Sequence, residues 1–161
     1  MLRKDNGVTL IQLLVAVIVV IIIAGFAIWD AGNTTTETKL TKLYNEVMLV
    51  KNACSEAVTL NQLNPEEYPI KELFTKKVTR AWMDENYSEI GFSSTQEDIS
   101  DLYIIDKENA GNLETEKITG TYVYDMKNDE LYVFGGFTRN GEDTPVYEHK
   151  EIERLYKGTL E

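Results

Sequence analysis

From Asn6 to Trp29 the chain carries no charged side chain, and that run restricts what the chain can become. Val8 to Trp29 is about 22 residues, which at helical rise covers roughly 33 Å, the thickness of a bilayer's hydrocarbon core. A helix in the core of a globular domain is normally shorter and two-faced. Arg3 and Lys4 precede the run and Asp30 follows it, so the positive charge on the near side predicts a cytoplasmic N-terminus and an outward-facing remainder. Trp29 stands at the outer boundary, where an aromatic ring favours the interface. A secretory signal peptide would carry an apolar stretch of about 7–15 residues before a small-residue cleavage site. Here the loose candidate, Gly25-Phe26-Ala27, would be cut inside the run. Two further uses remain: a plain membrane anchor and an element of an assembly.

The junction NGVTLIQLLVAVIVVIIIAG points to the second. A short basic stretch, MLRKDNG, ends in Gly7, and Val8, Thr9, Leu10, Ile11, Gln12 and Leu13 then open the apolar run. This arrangement resembles the type IV pilin and pseudopilin family. The resemblance implies a leader cut after Gly7 by a prepilin peptidase, and a mature chain that begins at an N-methylated Val8. It also implies subunit assembly through Val8, Thr9, Leu10, Gln12 and Leu13. The clear motif covers only about the first fifth of the chain. The implied partners are the peptidase, other pilin or pseudopilin subunits, an assembly platform and membrane lipid. The segments LYIIDKE, GTYVYD and ELY further along are similar to those of pilin-like proteins of Gram-positive bacteria.

Two positions depart from the family pattern. The first mature residue is usually phenylalanine or another large apolar residue, and here it is Val8. The fifth is usually a glutamate that meets the terminal amine of a neighbouring subunit, and here it is Gln12. An amide accepts a hydrogen bond from an amine but supplies no opposite charge, so register selection by a full ion pair is lost. A major subunit with a tolerated variation, a minor subunit and a tip subunit that initiates assembly are all compatible with Gln12. We favour a minor or initiating subunit.

Beyond Asn33 the sequence turns polar and periodic. Leu40, Leu43, Tyr44, Val47, Val50, Ala53, Cys54 and Ala57 recur at spacings of three and four, which is one apolar face of a helix. Lys39, Lys42, Glu46, Lys51 and Glu56 mark the opposite face. The pattern predicts one long helix from about Thr9 to Asn61, with room for a kink near residues 31–36. Asn64, Pro65 and Glu67 look like a helix start, Pro69 like a turn, and Ile70, Leu73, Phe74, Val78 and Trp82 predict a second helix near residues 70–84. Residues 102–106 read as a strand, and Thr121–Tyr124 with Leu131–Phe134 as a hairpin around Lys127-Asn128-Asp129. Residues 139–145 read as a turn. For residues 146–158 an edge strand and a short helix fit equally well. The expected fold class is α+β. A long N-terminal helix, membrane-spanning in its first half and amphipathic in its second, packs against a small antiparallel sheet. The expected parts are residues 1–7 (leader), 8–29 (span), 30–62 (helix extension) and 63–161 (head).

Little chemistry is on offer. The formal charge of −11 and the lack of a basic stripe argue against nucleic acid as a partner. Cys54 is the only cysteine and His149 the only histidine. An intramolecular disulfide and a thiolate zinc cluster are therefore excluded, and Cys54 reads as a small buried hydrophobe. Asp101, Asp106 and Glu108, and separately Asp125, Asp129 and Glu130, cluster in sequence, but without the spacing of a calcium loop. They read as solvated acidic surface, as does His149 between Glu148 and Glu151. FGGF at 134–137 is too short for a phosphate loop. No enzyme and no cofactor is expected. The rival to a filament subunit is a single-pass anchored extracellular domain that binds a partner and never polymerises.

Overall fold

The computed structural model describes residues 10–92, 98–115 and 118–159, with the backbone alone for 10–34. The chain divides into two compact units, 1–37 and 38–161. Helix α1 is assigned over Leu10–Leu63, so residues 31–36 are helical rather than broken. Among the described residues no helix is long and apolar enough to cross a membrane. The side chains of the expected span, Val8–Trp29, lie outside them.

The second unit is α+β. Its sheet has four antiparallel strands in the order β1 (Leu102–Ile105), β2 (Tyr122–Asp125), β3 (Glu130–Phe137) and β4 (Val146–Glu148). The β2–β3 register pairs Tyr124 with Leu131 and Asp125 with Glu130. The turn between them is closed by Asp125, whose carboxylate accepts bonds from the Asn128 backbone N–H (3.0 Å) and side-chain amide (2.7 Å). β3 runs three residues past the expected Phe134, and the irregular β3–β4 register coincides with left-handed Gly135 and Gly136. The ring of Tyr147 on β4 packs where a Cβ on Gly136 (φ 62°) or Gly91 (φ 71°) would sit, at 2.9 and 2.6 Å. Both positions therefore need glycine twice over.

Residues 146–158 adopt both of the conformations left open: strand β4, then helix α4 (His149–Gly158). The expected helix over 70–84 splits into α2 (Ile70–Leu73) and α3 (Arg80–Asn86). Between them the Ile104 N–H donates to Lys76 O (2.7 Å) and the Val78 N–H to Leu102 O (2.9 Å), so this segment lies alongside β1 and shields its edge. The run Thr75-Lys-Lys-Val-Thr79 is rich in β-branched residues, and Thr79 accepts a bond from the Trp82 N–H (3.2 Å), capping α3. Asn64 and Glu67 do bond to each other, but they close a turn rather than start a helix.

Strand alternation sends successive side chains to opposite faces, and both faces are covered. Tyr103, Ile105, Tyr122, Tyr124, Leu131 and Val133 join Leu40, Val47, Val50, Cys54 and Ala57 of α1 and Ile152 of α4 in the larger core. Every residue of the apolar stripe predicted for α1 takes part. On the other face Leu102 and Val123 pack with Val78, Met83 and Ile90, with Trp82 and Phe134 at the margin. A lid on this second face was not foreseen.

Candidate functional site

The described part of the molecule concentrates its polar chemistry where α1 meets the sheet. Glu46 points into this joint. Its Oε1 accepts bonds from the backbone N–H groups of Thr119 and Gly120 and from the Tyr122 hydroxyl, each at 2.7 Å, and its Oε2 accepts the Thr119 hydroxyl at 2.8 Å. Partial burial alone would raise this carboxyl. The bonds from Gly120, Tyr122 and Thr119 outweigh it and hold the group below its ordinary value.

Five residues further along α1, the Lys51 ammonium meets Asp129 at 2.6 Å and donates to the Ser55 hydroxyl at 2.8 Å. Asp129, in the left-handed region at φ 52°, also accepts the Tyr124 hydroxyl (2.7 Å) and the Ser55 hydroxyl (2.9 Å). Burial tends to raise Asp129, but its bonds to Lys51, Tyr124 and Ser55 bring it below the usual range. Glu46 and Lys51 were expected on a solvated face. Instead Lys51 is only 8 % exposed, because a long aliphatic stem lets the ammonium reach a carboxylate beside the core.

His149 is likewise corrected. It is not on an exposed face but buried at the first residue of α4. Its Nδ1 lies 2.8 Å from Glu130 Oε1, and the Leu131 N–H points at the same nitrogen from 3.2 Å. Glu130 Oε1 has no hydrogen-bond partner, while Oε2 is held by Lys150. A nitrogen presenting its lone pair to Leu131 would face Glu130 acceptor to acceptor. Nδ1 accepts the Leu131 N–H, and the buried Glu130 Oε1 beside it is left without a hydrogen-bond partner.

The other sequence candidates are separated rather than assembled. Asp106 and Glu108 converge on the Lys76 ammonium, whereas Asp125 closes the hairpin turn. Asp101, near the Ser100 hydroxyl, lines a notch of about 180 Å³ with Asp98 and Asp125, and Lys127 sits there on Asp98 at 3.1 Å. Among the described residues no group of three metal-ligating side chains is arranged to hold an ion. Burial pushes the Cys54 thiol up to about 12, against the pull of Lys51, so it is neutral and inert at physiological pH. Gly7, Val8 and Thr9 lie outside the described residues, as do the side chains of Leu10, Gln12 and Leu13.

No family model, curated protein or solved structure matches this chain. The joint holds one helix to one sheet, and its polar groups are spent on each other.

Proposed function

We propose that the chain is a non-catalytic subunit, a minor or initiating one, of a type IV pilus or related secretion pseudopilus. The observation that carries this is the junction at Gly7: a basic heptapeptide ending in glycine, then Val-Thr-Leu-Ile-Gln-Leu, then an unbroken apolar run to Trp29. In this account prepilin peptidase removes residues 1–7 on the cytoplasmic side. The mature subunit waits in the membrane with its N-terminus inside and its head outside. An assembly platform then moves the helix from lipid into a helical filament core. Lipid contacts are exchanged for helix contacts of similar apolarity, so the transfer need not carry a large penalty. Ala16, Ala24, Gly25 and Ala27 allow close helix approach there.

The joint between α1 and the sheet supports such a role. A subunit drawn out by its helix must carry its head along. The bonds of Glu46 to Thr119, Gly120 and Tyr122 and of Lys51 to Asp129 resist sliding better than apolar packing alone, because each fixes a direction and a register.

The test is recovery of the chain in filaments sheared from cells that carry the assembly system. Wild type should be found there, and Gly7→Arg, which blocks the cut, should stay in the membrane fraction. Wild type confined to membranes would instead favour an anchored domain that never polymerises. Gln12→Glu should raise the share of the chain in filaments if the missing charge is what keeps the subunit minor.

A further inference from the structure

Opposite flanks of α1 carry unlike surfaces. On one flank a groove of about 460 Å³ runs between α1 and the segments that carry Leu73 and Glu114. Its α1 wall is Leu49, Ala53, Glu56 and Leu60, which at roughly 100° per residue fall within about 60° of one another around the axis. Leu49 is 46 % exposed there. Glu56 and Glu114 are exposed beside it, and among the described residues neither has an ion-pair partner. The other flank is covered by α4, whose Tyr156 ring stacks on Tyr44 at 4.1 Å. Tyr44 lies roughly 120–180° around the axis from the groove residues. Ile152 of α4 is buried, while Lys150, Arg154 and Lys157 are exposed at helical spacing and form one outward stripe. Lys150 holds Glu130 and Lys157 holds Glu153, yet both keep more than half of the side chain in water. Arg154 has no ion-pair partner among the described residues. With Glu151 and Glu153 counted the stripe is still net positive, on a chain of net charge −11.

We propose that two copies of this chain dock head to tail, the outward α4 stripe of one copy lying over the groove of the next, with Arg154 and the two lysines facing Glu56 and Glu114. Long basic side chains suit such a groove, because their stems are apolar and their ends cationic. The two surfaces differ and lie on opposite flanks, so the contact is heterologous. Each copy keeps one free groove and one free stripe, and addition continues rather than closing at a dimer. The levels differ as well. Helix α4 begins beside Glu130, next to the Asp129–Lys51 pair, and ends over Tyr44. Its middle is therefore level with a point on α1 some seven residues before the middle of the groove. With α1 helices parallel, docking shifts each copy by roughly 10 Å along the axis, which makes a staircase. The charged contact sets register at the head, in a chain whose Gln12 supplies no charge near the N-terminus. The inference deepens the filament reading and rests on it for the parallel arrangement of copies.

The experiment uses the full chain in vesicles of phosphatidylcholine, whose lack of net charge keeps lipid from competing for the α4 stripe. Asn52→Cys puts a thiol in the groove and Gly158→Cys one at the end of the stripe. Both positions are exposed, a side chain at Gly158 meets nothing within 4 Å, and the native Cys54 is buried. A short bismaleimide should join a mixture of the two variants several-fold more than either variant alone. Arg154→Glu in the Gly158→Cys copy should cut that yield several-fold, and Glu56→Arg in the Asn52→Cys copy should restore it. Raising the salt should weaken the unaltered pair. A mixed yield that Arg154→Glu leaves unchanged, or equal yields from the mixture and from either variant alone, would overturn the docking. A dominant Asn52→Cys self-product would mean that the groove meets its own twin across a two-fold axis, which overturns it too. The cross-link does not depend on processing, so its failure leaves the cut after Gly7 standing, and a chain that keeps its leader leaves the cross-link standing.

Discussion

The two faces of the sheet are held in different ways. The face toward α1 combines a large apolar core with carboxylates and an ammonium bonded inside the joint: Glu46 on Thr119, Gly120 and Tyr122, and Lys51 on Asp129. The face toward α3 is closed by Val78, Met83 and Ile90, with Phe92 edge-on to Tyr132 at 4.6 Å and Trp82 tilted against Phe134. Apolar packing drives both closures but is non-directional. Hydrogen bonds to a buried carboxylate fail if the partners shift by an ångström or two. The first face is therefore a joint with a fixed register and the second a lid.

The largest expected effects test the apolar part shared by both faces. Leu131→Ala at the joint and Ile90→Ala at the lid, both fully buried, should each lower unfolding free energy by about 2–5 kcal/mol in urea titrations. A near-neutral result at Ile90 would mean that the lid does not fold cooperatively with the sheet.

Next comes the polar difference. Glu46→Ala removes the acceptor of four bonds, two of them from exposed Thr119, and should destabilise by about 2–3 kcal/mol. Because the folded carboxyl lies below its unfolded value, Glu46 stabilises above the unfolded value, about 4.3, and that contribution fades as pH drops through the folded one. A plot of Tm against pH should therefore be flatter at its acid end for Glu46→Gln than for wild type. An identical acid limb would remove Glu46 from the joint's energetics.

A smaller effect is expected where β4 crosses the lid. Gly136→Ala meets the Tyr147 ring and a left-handed backbone at once, and should cost about 1–3 kcal/mol by chemical denaturation. The smallest is at the surface: Lys127→Ala removes an exposed pair with Asp98 and should leave Tm unchanged, since such pairs contribute little.

The joint's apolar half was legible in the sequence and its polar half was not. Leu40, Val47, Val50, Cys54 and Ala57 announce themselves by spacing, since a helix buries one stripe. The hairpin is readable from two β-rich runs around a polar turn. Glu46 and Lys51 fall off the stripe, so periodicity assigns them to water. Only the fold brings Gly120 and Asp129, more than seventy residues away in sequence, within reach of them. His149 looked exposed because its neighbours Glu148 and Lys150 are, yet a helix start can turn one residue inward between two that face out. Over 70–84 helical apolar spacing runs on through Thr75–Thr79, but the β-branched residues there and the capping Thr79 break the helix in two.

The claim on which the proposed function rests is processing at Gly7, and the most direct measurement is the intact mass of the native chain from cells that possess the peptidase. A chain beginning at Val8 and heavier by one methyl group is the predicted result. A chain that still carries Met1 through Gly7 in those cells would contradict it.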